Sequence, residues 1–140
     1  MKRIRLLVLL SMVTLALPLG LLQGVAKATG DSYTTTNSVY IQQYADYDFM
    51  GTQLDVGLYV TCKGGSGTVV VNVEQYPPQT PYPVAHGSGP QLVVCDGRTH
   101  SVGVTIDGFG FDAGSALAKA QLITPTGTVK TKRWIQIVVV

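Results

Sequence analysis

The sequence predicts an all-β domain in which two sheets pack face to face, and three observations carry that prediction. Apolar residues recur with a period of two through most of the chain beyond residue 50, as strands with one buried face require. Glycine, proline and aspartate clusters interrupt these runs about every 8–12 residues, the punctuation of short strands rather than of alternating strands and helices. Two cysteines, Cys62 and Cys95, fall inside the alternating runs and predict one disulfide.

The N-terminal stretch reads differently. Lys2, Arg3 and Arg5 precede an apolar segment, 6–22, that Pro18 and Gly20 interrupt, and Ala26-Lys27-Ala28 has the small-x-small form of a cleavage site. Residues 1–28 are therefore expected to be a cleavable secretory signal peptide, leaving 29–140 as a single domain. A membrane anchor is the competing reading of the roughly 17 apolar residues, but the Pro-Gly break and the cleavage site argue against it. No cysteine before Cys62 offers a lipid attachment point, and the closing apolar run, 135–140, is too short to span a bilayer. The expected product is secreted or held at the cell envelope, with no stable membrane insertion after cleavage.

Loss of the leader removes four positive charges and takes the formal net charge from +2 to −2. Of the remaining basic residues only Lys130, Lys132 and Arg133 lie close together, too few for the counterion release on which nucleic-acid affinity depends. Nucleic acid is excluded as a partner. A domain of about 112 residues can bury one modest core. In an exported chain the Cys62–Cys95 pair reads as a disulfide, because a metal site needs further Cys or His ligands and only His86 and His100 exist. Closing a loop of about 34 residues is worth ~3.5–4 kcal/mol in the chain-entropy account.

The strands follow in order. Tyr40, Tyr44 and Tyr47 have helical spacing, yet aromatic residues also suit strands, and a first strand is placed at 39–45. Leu54, Val56, Leu58, Val60 and Cys62 form the next inward face. Val69, Val71 and Val73, then Val93 and Cys95, then Val102, Val104 and Ile106, and finally Ile135, Ile137 and Val139 repeat the alternation. Lys63-Gly64-Gly65-Ser66-Gly67, Asp96-Gly97, Asp107-Gly108 and Pro125-Thr126-Gly127 are the turn signals between them. In 115–124 the composition favours helix, with Asp112 or Ser115 as cap, while Ala116, Ala118, Ala120 and Leu122 alternate; the period places a strand ahead of a helix.

Both cysteines then stand at the C-terminal ends of their strands, where a plain meander would hold them apart although a bridge needs Cα atoms within about 7 Å. A crossover at the proline-rich segment 76–83, or a short edge piece at 84–87, resolves the conflict. The connections expected are those of an immunoglobulin-like Greek-key β-sandwich of about seven or eight strands.

Gln75, Gly87-Ser88-Gly89, Cys95-Asp96-Gly97-x-x-His100 and Phe111-x-x-Gly114-x-Ala116-x-Ala118 together resemble a pattern in small secreted actinobacterial proteins. The resemblance covers about 56–139. It implies export, an immunoglobulin-like sandwich and one or two disulfides, and no reaction, since those proteins are largely uncharacterised. The Tyr/Pro-rich segment 76–83 is particular to this chain.

Catalytic sets are poorly represented. His100 has Asp96 and Asp107 nearby in sequence, and Ser66, Ser88 and Ser101 are present, but the glycine-flanked serines lack the outer glycines of a nucleophile elbow. His100 is expected to start a strand and bond the Asp96-Gly97 turn. Glu74 is the sole glutamate, which leaves a glycosidase pair to turn aspartates. Asp46 and Asp48, with Asp107 or Asp112, suggest calcium only weakly, because the ligand register and closing glutamate of an EF-hand loop are missing. No cofactor or metal is expected.

Binding is the stronger reading. Two aromatic groups are candidates for a binding surface, Tyr44, Tyr47 and Phe49 from an early set that also includes Tyr33 and Tyr40, and Phe109 from the glycine-spaced loop 107–112, with Trp134 a further candidate; the competing reading is that most of these rings cover the ends of a small core. Phe111 is placed in the core and Phe109 outside it, and Trp134, out of phase with Ile135 and Ile137, is placed on the outer face beside Lys132. The function expected is a binding module without catalytic activity, its partner an extracellular or cell-wall protein or glycan. The alternatives are a carrier of a small apolar ligand in an aromatic-lined cleft and, last, a hydrolase using His100.

Overall fold

A computed structural model describes residues 36–48, 53–78 and 81–140. The leader expected at 1–28, Tyr33 and Phe49 lie outside the described residues. Among those described, five strands follow in order: β1 (Ser38–Tyr47), β2 (Gln53–Gln75), β3 (Ala85–Phe109), β4 (Gly114–Thr124) and β5 (Gly127–Val139). They hydrogen-bond in the order β1-β5-β4-β2-β3, and β1 also pairs with β2. That second pairing closes β1, β5, β4 and β2 into a small four-stranded barrel, with β3 along the remaining edge of β2. The domain is all-β and carries the Cys62–Cys95 disulfide, as expected, but its five strands form a small closed four-stranded barrel with one edge strand and not a Greek-key sandwich of seven or eight strands.

The difference has one physical source: two of the turn signals bend the chain without reversing it. β2 and β3 form a single antiparallel hairpin paired from Gln53↔Asp107 to Gln75↔Ala85. Lys63-Gly64-Gly65 and Asp96-Gly97 meet halfway along it, where the register shifts between Thr61 and Gly65. Gly64, Gly65 and Gly97 take φ of 109°, 97° and 86°, the left-handed region open to glycine at little cost, and the irregularity is a β-bulge. Across it the buried residues change parity, from Leu54, Val56, Leu58 and Val60 to Val69, Val71 and Val73. Both halves of β2 thereby keep a face toward the core. The first half pairs with β1 and the second with β4.

The bend also removes the conflict over the cysteines. Cys62 and Cys95 stand beside it with Cα atoms 4.5 Å apart, so no crossover is needed. The segment 76–83 joins the two strands at the hairpin's end, where the Val84 N–H donates to the Gln75 carbonyl at 2.9 Å. Because the hairpin is folded over, the two ends of β3 return to each other. A Cβ at Gly89 would lie 2.0 Å from the Thr105 carbonyl oxygen, and one at Gly87 would lie 2.7 Å from that of Asp107. Glycine is required at this backbone-to-backbone contact.

The segment 115–124 is a strand, and Ala116, Ala118, Ala120 and Leu122 face the core as the period indicated. Phe111 is buried and Phe109 exposed, again as alternation indicated. Gln75, the one buried polar side chain among the described residues, holds the connection between β3 and β4. Its amide donates to the Asp112 carbonyl and its oxygen accepts the Asp112 N–H, both at 2.9 Å. Val139 departs from expectation: it lies exposed at the end of β5, opposite Tyr47 in the parallel β1–β5 pairing.

Candidate functional site

Sheet register sets out the outward face of β3, β2, β4 and β5 as a grid. One row across the strands is His86, Glu74, Leu117 and Trp134. The next is Ser88, Asn72, Lys119 and Lys132, and the third is Pro90, Val70, Gln121 and Lys130. All belong to the phase opposite the buried residues, so they point away from the core.

Glu74 is the anchor of this face. Lys119 Nζ donates to both its carboxylate oxygens, at 2.9 and 2.8 Å, and the Tyr76 hydroxyl donates to Oε2. The lysine, then the tyrosine, hold the Glu74 carboxyl below its ordinary 4.5, and the same bonds raise Lys119 and Tyr76 above their ordinary values. The result is a carboxylate kept ionised and fixed in position while its side chain remains 26 % exposed. The Tyr76 ring meets Trp134 edge to face at 6.4 Å, which ties the charged pair to the indole.

Two open depressions flank Lys119. One, of about 860 Å³, lies toward β3 and is lined by Glu74, His86, Asp107, Phe109 and Val84. The other, of about 650 Å³, lies toward β5 between Asn72, Gln121, Lys130 and Lys132. Together they offer two carboxylates, ammonium groups, an imidazole, amides and the exposed ring of Phe109. That chemistry suits a ligand with both polar groups and apolar faces.

The structure distributes the residues singled out in the sequence. Phe109 lines the first depression, and Trp134, 59 % exposed, stands at the other end of the Glu74 row. Tyr44 is exposed and pairs with Gln136 across β1–β5, which extends the same outward face one strand beyond Trp134. Tyr47 is not part of it: it is half-buried, its ring meeting that of Phe111 edge to face with centroids 6.2 Å apart. Phe49 lies outside the described residues. His100 does bond the Asp96-Gly97 bulge, its Nε2 lying 2.8 Å from Asp96 Oδ1, which also accepts the Arg98 N–H at 2.9 Å. These bonds, from His100 first, lower the Asp96 carboxyl below its ordinary range. Among the described residues no group of three His, Cys, Asp or Glu is placed to hold a metal ion.

Sequence reasoning missed Glu74, Tyr76, His86, Asn72 and Lys119 as a group. Their outward phase was readable, but taking 76–83 as a crossover separated Glu74 from His86, whereas a hairpin makes them directly opposed partners. The chain matches no protein-family model, and no curated protein matches it in sequence.

Proposed function

We propose that the protein is an exported, non-catalytic binding module that recognises an extracellular or cell-wall partner through the outward face of β3, β2, β4 and β5. The observation that carries this reading is the chain's only tryptophan, held 59 % exposed by Tyr76 beside a fixed Glu74–Lys119 pair. Burying a large apolar side chain is worth about 1.5–3 kcal/mol, which a partner covering Trp134 recovers. Phe109 and Val84, 76 % and 62 % exposed, add apolar surface in the depression on the other side of Glu74. The leader and the disulfide support export, since disulfides persist in oxidising compartments. A carrier of a purely apolar ligand has weaker support, because Glu74, His86, Asp107 and Lys119 line the groove that Phe109 and Val84 share.

Co-sedimentation of the purified protein with cell-envelope fractions tests the reading. Phe109→Ala and Glu74→Ala are expected to reduce the sedimented fraction, and Tyr59→Ala on the opposite face is expected to leave it unchanged. Envelope binding insensitive to Phe109 and Glu74, or reproducible substrate turnover, would contradict it.

A further inference from the structure

We propose that the lysine-bearing part of this outward face binds anionic glycans, sugar chains carrying carboxylate or phosphate, with a ring stacked on Trp134. The inference rests on the reading of this face as the recognition surface and names the ligand class. Register sets Lys119 directly opposite Lys132, and Gln121 opposite Lys130. Like charges directly opposed across strands disfavour folding. Lys119 is neutralised by Glu74, but Lys130 and Lys132 are both exposed, and among the described residues neither has an acidic partner.

Charge complementarity then identifies the occupant. Residues 29–140 hold all eight acidic residues of the chain and only four lysines, yet three of those lysines gather around this one depression. Concentrating positive charge on a domain of net negative charge selects an anion. Asn72 and Gln121 border the same depression with amides that both donate to and accept from hydroxyl groups. Trp134 lies two residues beyond Lys132 on the same side of β5, roughly 7 Å away at strand spacing. One sugar chain can therefore lay a ring face on the indole and set its next charged group against Lys132. A neutral glycan leaves both free ammonium groups unused.

Because the chain has one tryptophan, its fluorescence reports on this site alone. The protein is titrated with tetragalacturonate, with oligo(glycerol phosphate), with cellotetraose and with anionic phospholipid vesicles. At least one charged oligomer is expected to change the Trp134 emission and to bind about tenfold tighter than cellotetraose. A response to the uronate alone, to the phosphate alone or to both assigns the anionic group. Lys130→Gln/Lys132→Gln, checked for a thermal melt no lower than that of wild type, is expected to weaken binding about tenfold, as is raising NaCl from about 0.05 M to about 0.5 M. Equal affinity for cellotetraose, an unchanged affinity in the double variant, binding to vesicles only, or no response to any probe would overturn the inference. If envelope binding then still depends on Glu74 and Phe109, the binding-module reading stands without it.

Discussion

The two outward faces of the barrel use similar residues to opposite ends. On the face formed by β1, the first half of β2 and the second half of β3, polar groups satisfy one another across the strands. Thr61 and Thr99 share a hydrogen bond at 2.7 Å, and the Thr105 hydroxyl donates to Asp55 at 2.8 Å. Tyr40 stacks on its cross-strand partner Tyr59 at 6.4 Å, and Arg133 reaches over the Tyr40 ring at 4.9 Å and donates to the Ile41 carbonyl at 2.9 Å. Such pairs stabilise a sheet and leave little for a ligand. The face of β3, β2, β4 and β5 instead keeps Lys130, Lys132, Phe109 and Trp134 open around one anchored carboxylate. Register decides which groups find partners inside the chain, so the two faces divide into one whose side chains pair with one another and one whose lysines and aromatic rings stay open.

Perturbing the bend that joins the two faces should have the largest effect. Cys62→Ala/Cys95→Ala removes the bridge beside the bulge and is expected to cost roughly 3–4 kcal/mol in denaturant unfolding, with both faces lost in one transition. A comparable midpoint for wild type and variant would mean that the bridge does not restrain the hairpin.

The next effect separates two glycines of β3. Gly89→Ala drives a Cβ into the Thr105 carbonyl, a backbone atom that cannot rotate away, and is expected to cost about 2–3 kcal/mol. Gly103→Ala meets nothing within 4 Å and is expected to change stability by less than about 0.5 kcal/mol. Equal thermal shifts in the two variants would contradict the return of β3 onto itself.

Arg133→Gln, which removes the side chain that reaches from β5 onto the self-satisfied face, is expected to lose about 1–2 kcal/mol by leaving the Ile41 carbonyl without its charged donor. Ligand response at Trp134 should survive the change, because the two faces act independently.

Glu74→Gln should have the smallest effect on stability and a large one on binding. The Glu74 carboxyl is lowered in the folded protein by Lys119 and Tyr76, so its contribution is present above its ordinary 4.5 and is lost as pH falls through the lower folded value. Wild type is therefore expected to melt slightly above Glu74→Gln at neutral pH, with the gap closing in acid. A gap that persists unchanged in acid would show that the ion pair does not produce it.

Much of this architecture was legible in the residues. The alternation of Leu54 to Cys62, of Ala116 to Leu122 and of Ile135 with Ile137 identified the buried faces, and the odd cases, Phe109 out and Phe111 in, followed from phase. Connectivity was not legible, because glycine clusters serve a reversal and a bulge equally well. Both need positive φ, and only the partner strand tells them apart. Lys63-Gly64-Gly65 faces Asp96-Gly97, a long-range pairing that no local window contains. The candidate surface was hidden for the same reason. Trp134 was recognisable as outward, but Glu74, Lys119 and Tyr76 form a unit only when 76–83 closes a hairpin and β4 lies beside β2.

Amide chemical-shift mapping with a soluble envelope glycan fraction tests the division of labour between the faces most directly. Perturbations are expected at Glu74, His86, Lys119 and Lys132 and at the Trp134 indole, with Tyr40, Tyr59, Thr61 and Thr105 unmoved. Perturbations confined to the Tyr40–Tyr59 face, with Trp134 silent, would contradict it.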